Sequence, residues 1–276
     1  MKATVLVILI LNVFTGQIFP ANDSLVEEVA NINIIVFNGG KIICNDLSYF
    51  THDKAYDNQQ KTLNNSVFVI QHPKGNLVWD SGIADFHADE DNSKTGNYQT
   101  FIPIVEKKLI TQFADAGINI DSIDYISFSH THFDHIGNAA YFSNSNWIVQ
   151  EDELKWAFSK FDIQERELIS PLKDTKKIIF KNSYDIFKDG TVMIYFYPGH
   201  TPGHCCLCVN TGIETILISG DMYHFKEQRT HKRIPQFNYD VEASEKSMEA
   251  FEKFAKMINA RVIIQHEPVK FGNVSQ

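Results

Sequence analysis

A chain of 276 residues, 43% hydrophobic, has enough apolar content for a real core and suits one large domain or two small ones. Its formal net charge of −9, without any basic block, argues against a nucleic-acid partner or an anionic membrane surface. An acidic surface gives no help in binding anions either, so a neutral or cationic small molecule is the favoured substrate.

The first residues read as an export signal. Lys2 is a short positive region, and Thr4 to Phe14 is an apolar run too short to span a bilayer. Thr15, Gly16 and Ala21 supply small residues for cleavage, without an A-x-A pattern to fix the point. The expectation is a signal peptide over residues 1–21 and a mature domain over 22–276, exported to the periplasm or beyond, with no stable membrane association after cleavage. An uncleaved N-terminal anchor is the competing reading. Export permits disulfides. The spacing of Cys205, Cys206 and Cys208 is not a zinc-finger pattern, and with Cys44 they read as small buried hydrophobes. A bridge from Cys44 to one of the other three stays open.

From Asn31 the pattern is β-rich. Ile32 to Phe37 and Lys41 to Cys44 read as a hairpin about Gly39-Gly40. Asp46 to Asn65 has no clear period and reads as a long loop, on which Phe50 and Tyr56 either line a pocket or pin the loop down. Ser66 to Gln71 and Leu77 to Trp79 form a strand pair. Asp80, at its end, is either a turn residue or an acceptor that orients a metal-bound histidine. Ile104 to Ala116 is helical in pattern, with Gly117 as its stop. Asp124 to Ser129 is a strand, as are Trp147 to Gln150, Ile178 to Phe180, Val192 to Tyr197, Cys205 to Val209, Thr215 to Ser219 and Arg261 to Gln265. Helices are expected at Glu151 to Phe161 and, with an apolar stripe of Met248, Phe251, Phe254, Ala255 and Ile258, at Ala243 to Ile258. Each half runs through strands, a helix and a strand ending in histidine. That layout suggests two β-rich halves face to face with helices outside.

Several of these strands end in residues that ligate metals. Ser129-His130-Thr131-His132-Phe133-Asp134-His135 packs three imidazoles and a carboxylate into six residues. Packing does not account for such a cluster, because it repels itself once protonated, whereas a divalent cation takes neutral imidazole and carboxylate as its natural ligands. His200, Asp221 and His266 follow at later strand ends. In an extended segment His130 and His132 share a face. Asp134 continues that face only if the chain stays extended, and His135 turns away, with Gly137 letting the chain turn. Seven protein ligands are too many for one tetrahedral ion; two ions about 3.5–4 Å apart fit the count. Zinc is the expected metal for so nitrogen-rich a set, and iron, cobalt or manganese could substitute. Such a site favours hydrolysis of a carbonyl or phosphoryl bond. His204 is expected to pack or hydrogen-bond nearby. His52, His72, His87 and His231 read as ordinary surface or loop residues.

SHTHFDH, PGHTPGH, SGD and QHEP resemble, in order, the metal-binding motifs of the metallo-β-lactamase superfamily. VFNGGKIICNDLS, HPKGNLVWDSG, SGDMYHF and RTHKRIPQFNYD are similar to segments of its N-acyl-homoserine lactonase group. The resemblance covers the whole mature chain. It implies an α+β fold, a four-layer αββα sandwich with the metal site at its edge. It places His130, His132 and His200 on one metal and Asp134, His135 and His266 on the other, with Asp221 between them and Asp80 orienting a ligand. The implied reaction is opening of an acyl-homoserine lactone by a hydroxide held between the metals. A tyrosine polarises the carbonyl, and Asp134 relays a proton to the departing ring oxygen. The lactonases carry that tyrosine three residues after the bridging aspartate. Here Tyr223 stands two after Asp221 and His224 three after, so either Tyr223 reaches the site or His224 replaces it as donor. Another ester, thioester or organophosphate hydrolase on the same site is the alternative. A non-catalytic scaffold is disfavoured, because no ligand position is missing.

Overall fold

The first strand, β1 (Asn33–Cys44), runs straight through Gly39-Gly40 instead of turning back as the expected hairpin. Both parts of it pair with one neighbour, β2 (Lys61–His72), and the register steps from Asn38↔Ser66 to Lys41↔Asn64. Gly39 and Gly40 thus stand opposite Asn65 alone, a β-bulge, which bends the strand without reversing it. Glycine is needed at the bulge because the backbone of Gly82 crosses there: a Cβ on Gly39 would lie 3.0 Å from Gly82 Cα. The loop expected up to Asn65 is correspondingly shorter. It holds one 3-10 turn, Leu47–Phe50, and ends where β2 begins at Lys61.

The structure, a computed structural model, describes residues 32–89, 100–159, 163–270 and 272–273; the expected signal segment lies outside them. The first sheet also holds β3 (Gly75–Trp79), β4 (Phe101–Ile104), β5 (Tyr125–Ser127), β6 (Asn146–Gln150), β7 (Lys177–Phe180) and β13 (Gly272–Asn273). Its order is β13-β1-β2-β3-β5-β6-β7, with β4 paired to β1. The second sheet, in the order β12-β11-β10-β9-β8, is built from β8 (Ser183–Asp185), β9 (Val192–Phe196), β10 (Cys205–Asn210), β11 (Thr215–Ile218) and β12 (Arg261–Ile263).

Alternation along the strands creates the layers. Phe68 and Ile70 of β2, Leu207 and Val209 of β10, and Ile216 and Ile218 of β11 meet between the sheets. Their neighbours Val67 and Val69 face outward under α1 (Leu109–Asp115), together with Phe113 and Trp147. Cys206, Cys208 and Leu217 face outward under α6 (Val241–Met257), where Met248, Phe251 and Ala255 cover them. This is the expected αββα sandwich. The cysteines are four small buried packing groups, none of them bridged.

The α1 helix starts later than the periodicity implies. Phe101–Ile104 is recruited as a strand by Lys41–Cys44, and the carboxylate of buried Asp85 accepts from the amides of Leu109 and Ile110 at the true start. Gly117 does follow the helix in a left-handed conformation, φ +71°. His72 and His87 are buried, contrary to the surface expectation. The His72 ring stacks on Phe187 at 3.9 Å, and its nitrogens exchange water for the Lys74 amide at 3.0 Å and Asp189 Oδ2 at 3.2 Å. Three further helices are α2 (Phe133–Ile136), α3 (Glu151–Ala157) and α4 (Ile163–Ile169); α5 (Lys226–His231) follows the second sheet. Neither α4 nor α5 is among the expected elements. Among the described residues no helix is long and apolar enough to cross a membrane.

Gly137, just after α2, is helical (φ −53°) and so is not needed for a turn. It is needed for closeness: a Cβ there would lie 2.2 Å from the Ala84 amide nitrogen and 2.6 Å from the Gly82 carbonyl oxygen. We predict that Gly137→Ala lowers stability to urea by about 1–3 kcal/mol, the usual cost of overpacking. An unchanged unfolding midpoint would contradict this packing account.

Candidate metal centre

The two sheets present their ligand-bearing ends on one edge of the sandwich. β5 ends at Ser127, and three residues later His130 and then His132 project from an extended segment. His132, with ψ 156°, is the N-cap of α2, so the chain turns helical at Phe133. Asp134 and His135 therefore sit on a helical turn, and Asp134 does not continue the strand face. His200 comes from the Gly/Pro turn after β9, Asp221 from the single turn after β11, and His266 from the loop after β12.

The ring nitrogens of the first group converge. His130 Nε2 and His132 Nδ1 lie 2.7 Å apart, and His200 Nε2 is 3.1 and 2.9 Å from them. Burial drives the basicity of all three down, His132 to about 4 and the others well below the ordinary imidazole range. A neutral imidazole has one N–H and one lone pair, so where its far nitrogen takes the outward hydrogen bond as donor its lone pair is left for the shared point, and three such lone pairs at one point suit a cation.

The second group is Asp134, His135 and His266. Asp134 Oδ2 lies 3.4 Å from His135 Nε2 and 3.6 Å from His266 Nε2. His135 Nε2 and Asp221 Oδ1 are both fully buried without a hydrogen-bond partner, although they stand 3.3 Å apart. Two orphaned polar atoms at that distance, mis-aimed for each other, suit a shared ion. Burial lowers His135, yet Asp134, Asp221 and Asp80 outweigh it and hold the ring well above its ordinary value. The surrounding field thus demands positive charge, which a metal ion also supplies.

Asp221 joins the groups. Its Oδ2 lies 3.3 Å from His200 Nε2 and its Oδ1 lies 3.0 Å from His266 Nε2. Burial raises this carboxyl, but the imidazoles around it, His266 first, pull it well below the usual range, so it is ionised. The seven expected ligands gather as one group of His130, His132, His200 and Asp221 and a second of Asp134, His135 and His266, and a third grouping, Asp221 with His224 and His266, overlaps both.

The outward nitrogens of four rings are held by neighbours. His130 Nδ1 meets Ser129 Oγ at 3.1 Å, His135 Nδ1 meets Asp80 Oδ2 at 3.1 Å, His200 Nδ1 meets Asn238 Oδ1 at 2.9 Å, and His266 Nδ1 meets the Asn64 carbonyl at 2.7 Å. Such partners fix ring tautomer and direction. Asp80 also accepts from the Ser129 amide at 2.7 Å and from Gln265 Nε2 at 2.8 Å, so the structure gives it the orienting place and not merely a turn. Asn65 Nδ2 donates to Asp134 Oδ2 at 3.1 Å. Asn65, Asn238 and Gln265 leave little mark in the sequence. Their only signal is an amide side chain beside an apolar strand end, which is common in turns. His204 behaves as expected: its Nε2 accepts from the Asp221 amide at 3.0 Å, and it stands outside both ligand sets.

Tyr223 and His224 divide on extended backbone, Tyr223 having φ −143° and ψ 137°. Adjacent side chains then point to opposite faces. Tyr223 is turned away: it is buried under α6 beside Met222 and Phe251, and burial pushes its phenol up. The expectation that Tyr223 reaches the site is therefore corrected. His224 faces the ligands, with Nε2 3.1 Å from Asp221 Oδ2. Its ring lies parallel to that of His266 and edge-on to Phe50.

Over the ligands opens a cavity of about 240 Å³. His132, Asp134, His200, Asp221, His224 and His266 line its polar side, and Ile42, Phe50, Leu63, Phe101, Phe133 and Phe237, with the single carboxylate of Glu165, line the rest. Phe50 thus lines the pocket, while Tyr56 packs against Phe225 behind it. The arrangement suits a small molecule with a polar reacting group and an apolar remainder.

Comparison with known proteins agrees with this geometry. The Metallo-beta-lactamase superfamily profile matches residues 61–266. The N-acyl homoserine lactonase AttM of Rhizobium radiobacter is 28% identical over 219 residues, covering 75% of this chain and 82% of its own. An N-acyl homoserine lactonase of Bacillus thuringiensis is 25% identical over 205 residues, 72% of this chain and 80% of its own. A solved N-acyl homoserine lactone hydrolase, with N-hexanoyl-L-homoserine at its catalytic metal centre, superposes with a TM-score of 0.72 at 21% identity, covering 85% of this chain and 92% of that one; at that identity the likeness speaks for the fold. With a matched span that runs from the first residue of β2 to the last of the seven ligands, the chain belongs to the metallo-beta-lactamase superfamily.

Proposed function

We propose that this protein is a dinuclear zinc hydrolase that opens the ring of N-acyl-homoserine lactones, acting after export on a diffusible signal. The carrying observation is the juxtaposition of two ligand groups, with Asp221 in one and within 3.3 Å of the histidines of the other, and a cavity whose remaining lining is aromatic and aliphatic apart from Glu165. A lactone with an acyl tail has the matching polarity: an ester to place over the ligands and a chain to lay along Phe50, Phe101, Phe133 and Phe237. The lactonase names of the relatives support the same substrate class.

When bound, two divalent cations supply an ionised water and a polarised ester carbonyl at neutral pH. The protein's own groups do the rest. The four anchored rings hold the ligand geometry so that no reorganisation is required during reaction. The phenylalanines exclude water and strengthen each polar contact at the floor. His224 stands where a donor to the developing oxyanion is wanted. Asp134, lining the cavity and oriented by Asn65, is placed to carry a proton to the departing ring oxygen.

Three measurements test this. Purified protein should carry about two zinc ions per chain, and stripping them should cost about 4 kcal/mol of stability per ion relative to protein held at a thousandfold excess over Kd; metal analysis finding one ion or none would remove the dinuclear reading. On a panel of acyl lactones, linear esters and thioesters, ring opening followed by proton release should be fastest on the lactones. Ester or thioester turnover without lactone turnover would move the protein to another hydrolase class. Finally, His224→Ala should lower kcat/KM by about 10²-fold or more, as for loss of an oxyanion donor, while Tyr223→Phe leaves it near wild type. The reverse ranking would return the role to Tyr223.

A further inference from the structure

The first ligand group draws on two loops from opposite halves of the chain. His130 and His132 lie after β5 of one sheet, and His200 lies after β9 of the other. Their three nitrogens nevertheless meet within 2.7–3.1 Å. Something behind the rings must hold the loops to each other.

A single buried carboxylate does so. Glu153, in the first turn of α3, is 3% exposed. Its Oε1 accepts from the amide and the hydroxyl of Thr131, both at 2.7 Å. Its Oε2 accepts from the Thr201 hydroxyl at 2.6 Å and from the Gly203 amide at 3.0 Å. Thr131 stands between His130 and His132 on the reverse of the extended segment, and Thr201 follows His200 directly. Each oxygen therefore grips the back of one loop. Gly203 permits this approach, since a Cβ there would lie 2.2 Å from the Glu153 amide nitrogen and 2.4 Å from its Cβ.

We propose that Glu153 is a positioning residue for the metal held by His130, His132 and His200, clamping the two loops in register through its four donors. The chemistry demands a carboxylate. The Thr131 and Gly203 amides can only donate, and they approach different oxygens, so both oxygens must accept. A glutamine presents its amide nitrogen to one of these N–H groups, and one loop is released. Loop displacements of about 0.5 Å already spoil a ligand set. The second group, Asp134, His135 and His266, is oriented by different neighbours, namely Asp80, Asn65 and the Asn64 carbonyl.

This inference rests on the metal reading of the site and not on the lactone reading. The test uses zinc-loaded full-length protein and two variants, Glu153→Gln and Thr201→Val. A chelator titration measures zinc release, and anomalous scattering from crystals gives the occupancy of each position. In Glu153→Gln the three-histidine position should lose about 10–100-fold in affinity while the other position keeps its own. Amide exchange in residues 129–133 and 199–204 should rise in the same variant. Thr201→Val, which preserves shape and removes one donor, should show a smaller loss at the same position, and it decides the matter alone if Glu153→Gln does not fold. Equal weakening of both positions, or unchanged occupancy, overturns the clamp. A wild-type chain that binds no zinc overturns the metal reading and the clamp together. Absence of lactone turnover with the selective zinc loss intact touches only the substrate assignment.

Discussion

The site depends on one electrostatic constraint. Five imidazoles and two carboxylates, counting His130, His132, His135, His200 and His266 with Asp134 and Asp221, are crowded within hydrogen-bond range of one another, yet His135 Nε2 and Asp221 Oδ1 are left without a partner, and all but His132 are buried. Burial strips water from each, and uncompensated buried polar groups cost several kcal/mol apiece on transfer scales. Divalent metal bound there would convert this liability into bonds, and its binding would then contribute directly to the folded state. The ligands also cannot be gathered by local structure. They come from both sheets, and only a packed sandwich keeps those strand ends within reach.

The sandwich supplies rigidity in a specific way. Phe68, Ile70, Leu207, Val209, Ile216 and Ile218 lock the sheets face to face, which fixes the distance between the loop carrying His130 and the loops carrying His200 and Asp221. Polar cross-links then refine it at the edge. Gln265 donates to the Ser66 carbonyl and to Asp80, tying the end of β12 to β2 and to the carboxylate that faces His135. The apolar core sets the position of each loop to within a side chain, and the buried hydrogen bonds set it to within a fraction of an ångström.

How much of this is legible in the sequence follows from which forces are local. The clustering of the candidate ligands is legible, because three imidazoles and a carboxylate within six residues suit a cation and little else, and each remaining candidate follows an apolar strand. The layers are legible from alternation along β2, β10 and β11. Gly39-Gly40 misleads because a glycine pair signals a turn and a bulge equally; the difference lies in whether β2 continues past it, which is a tertiary fact. The α1 start misleads because its cap is Asp85, more than twenty residues earlier in the chain. His72 misleads because the ring that buries it belongs to Phe187, from the other half. Glu153 leaves no trace at all: a glutamate in the first turn of a helix is ordinary helix chemistry, and only the approach of Thr131, Thr201 and Gly203 gives it another role.

The choice between Tyr223 and His224 shows how little separates one substrate handle from another on this scaffold. Asp221 is held in place between histidines of both groups, within 3.3 Å of His200, His135 and His266. The chain leaving it passes through a single turn, Gly220–Met222, and then becomes extended. On extended backbone the two faces alternate, so the residue two places on meets α6 and the residue three places on meets the cavity. A phenol at the first of these positions becomes core, and Tyr223 fills that place beside Phe251. An imidazole at the second becomes part of the floor, within 3.1 Å of the shared carboxylate. The polar group at this place is thus an imidazole, set against His266 and edged by Phe50. A phenol's single hydroxyl reaches further into the cavity than an imidazole does. A floor built from histidine therefore keeps its polar atoms deep in the cavity, close to the shared carboxylate.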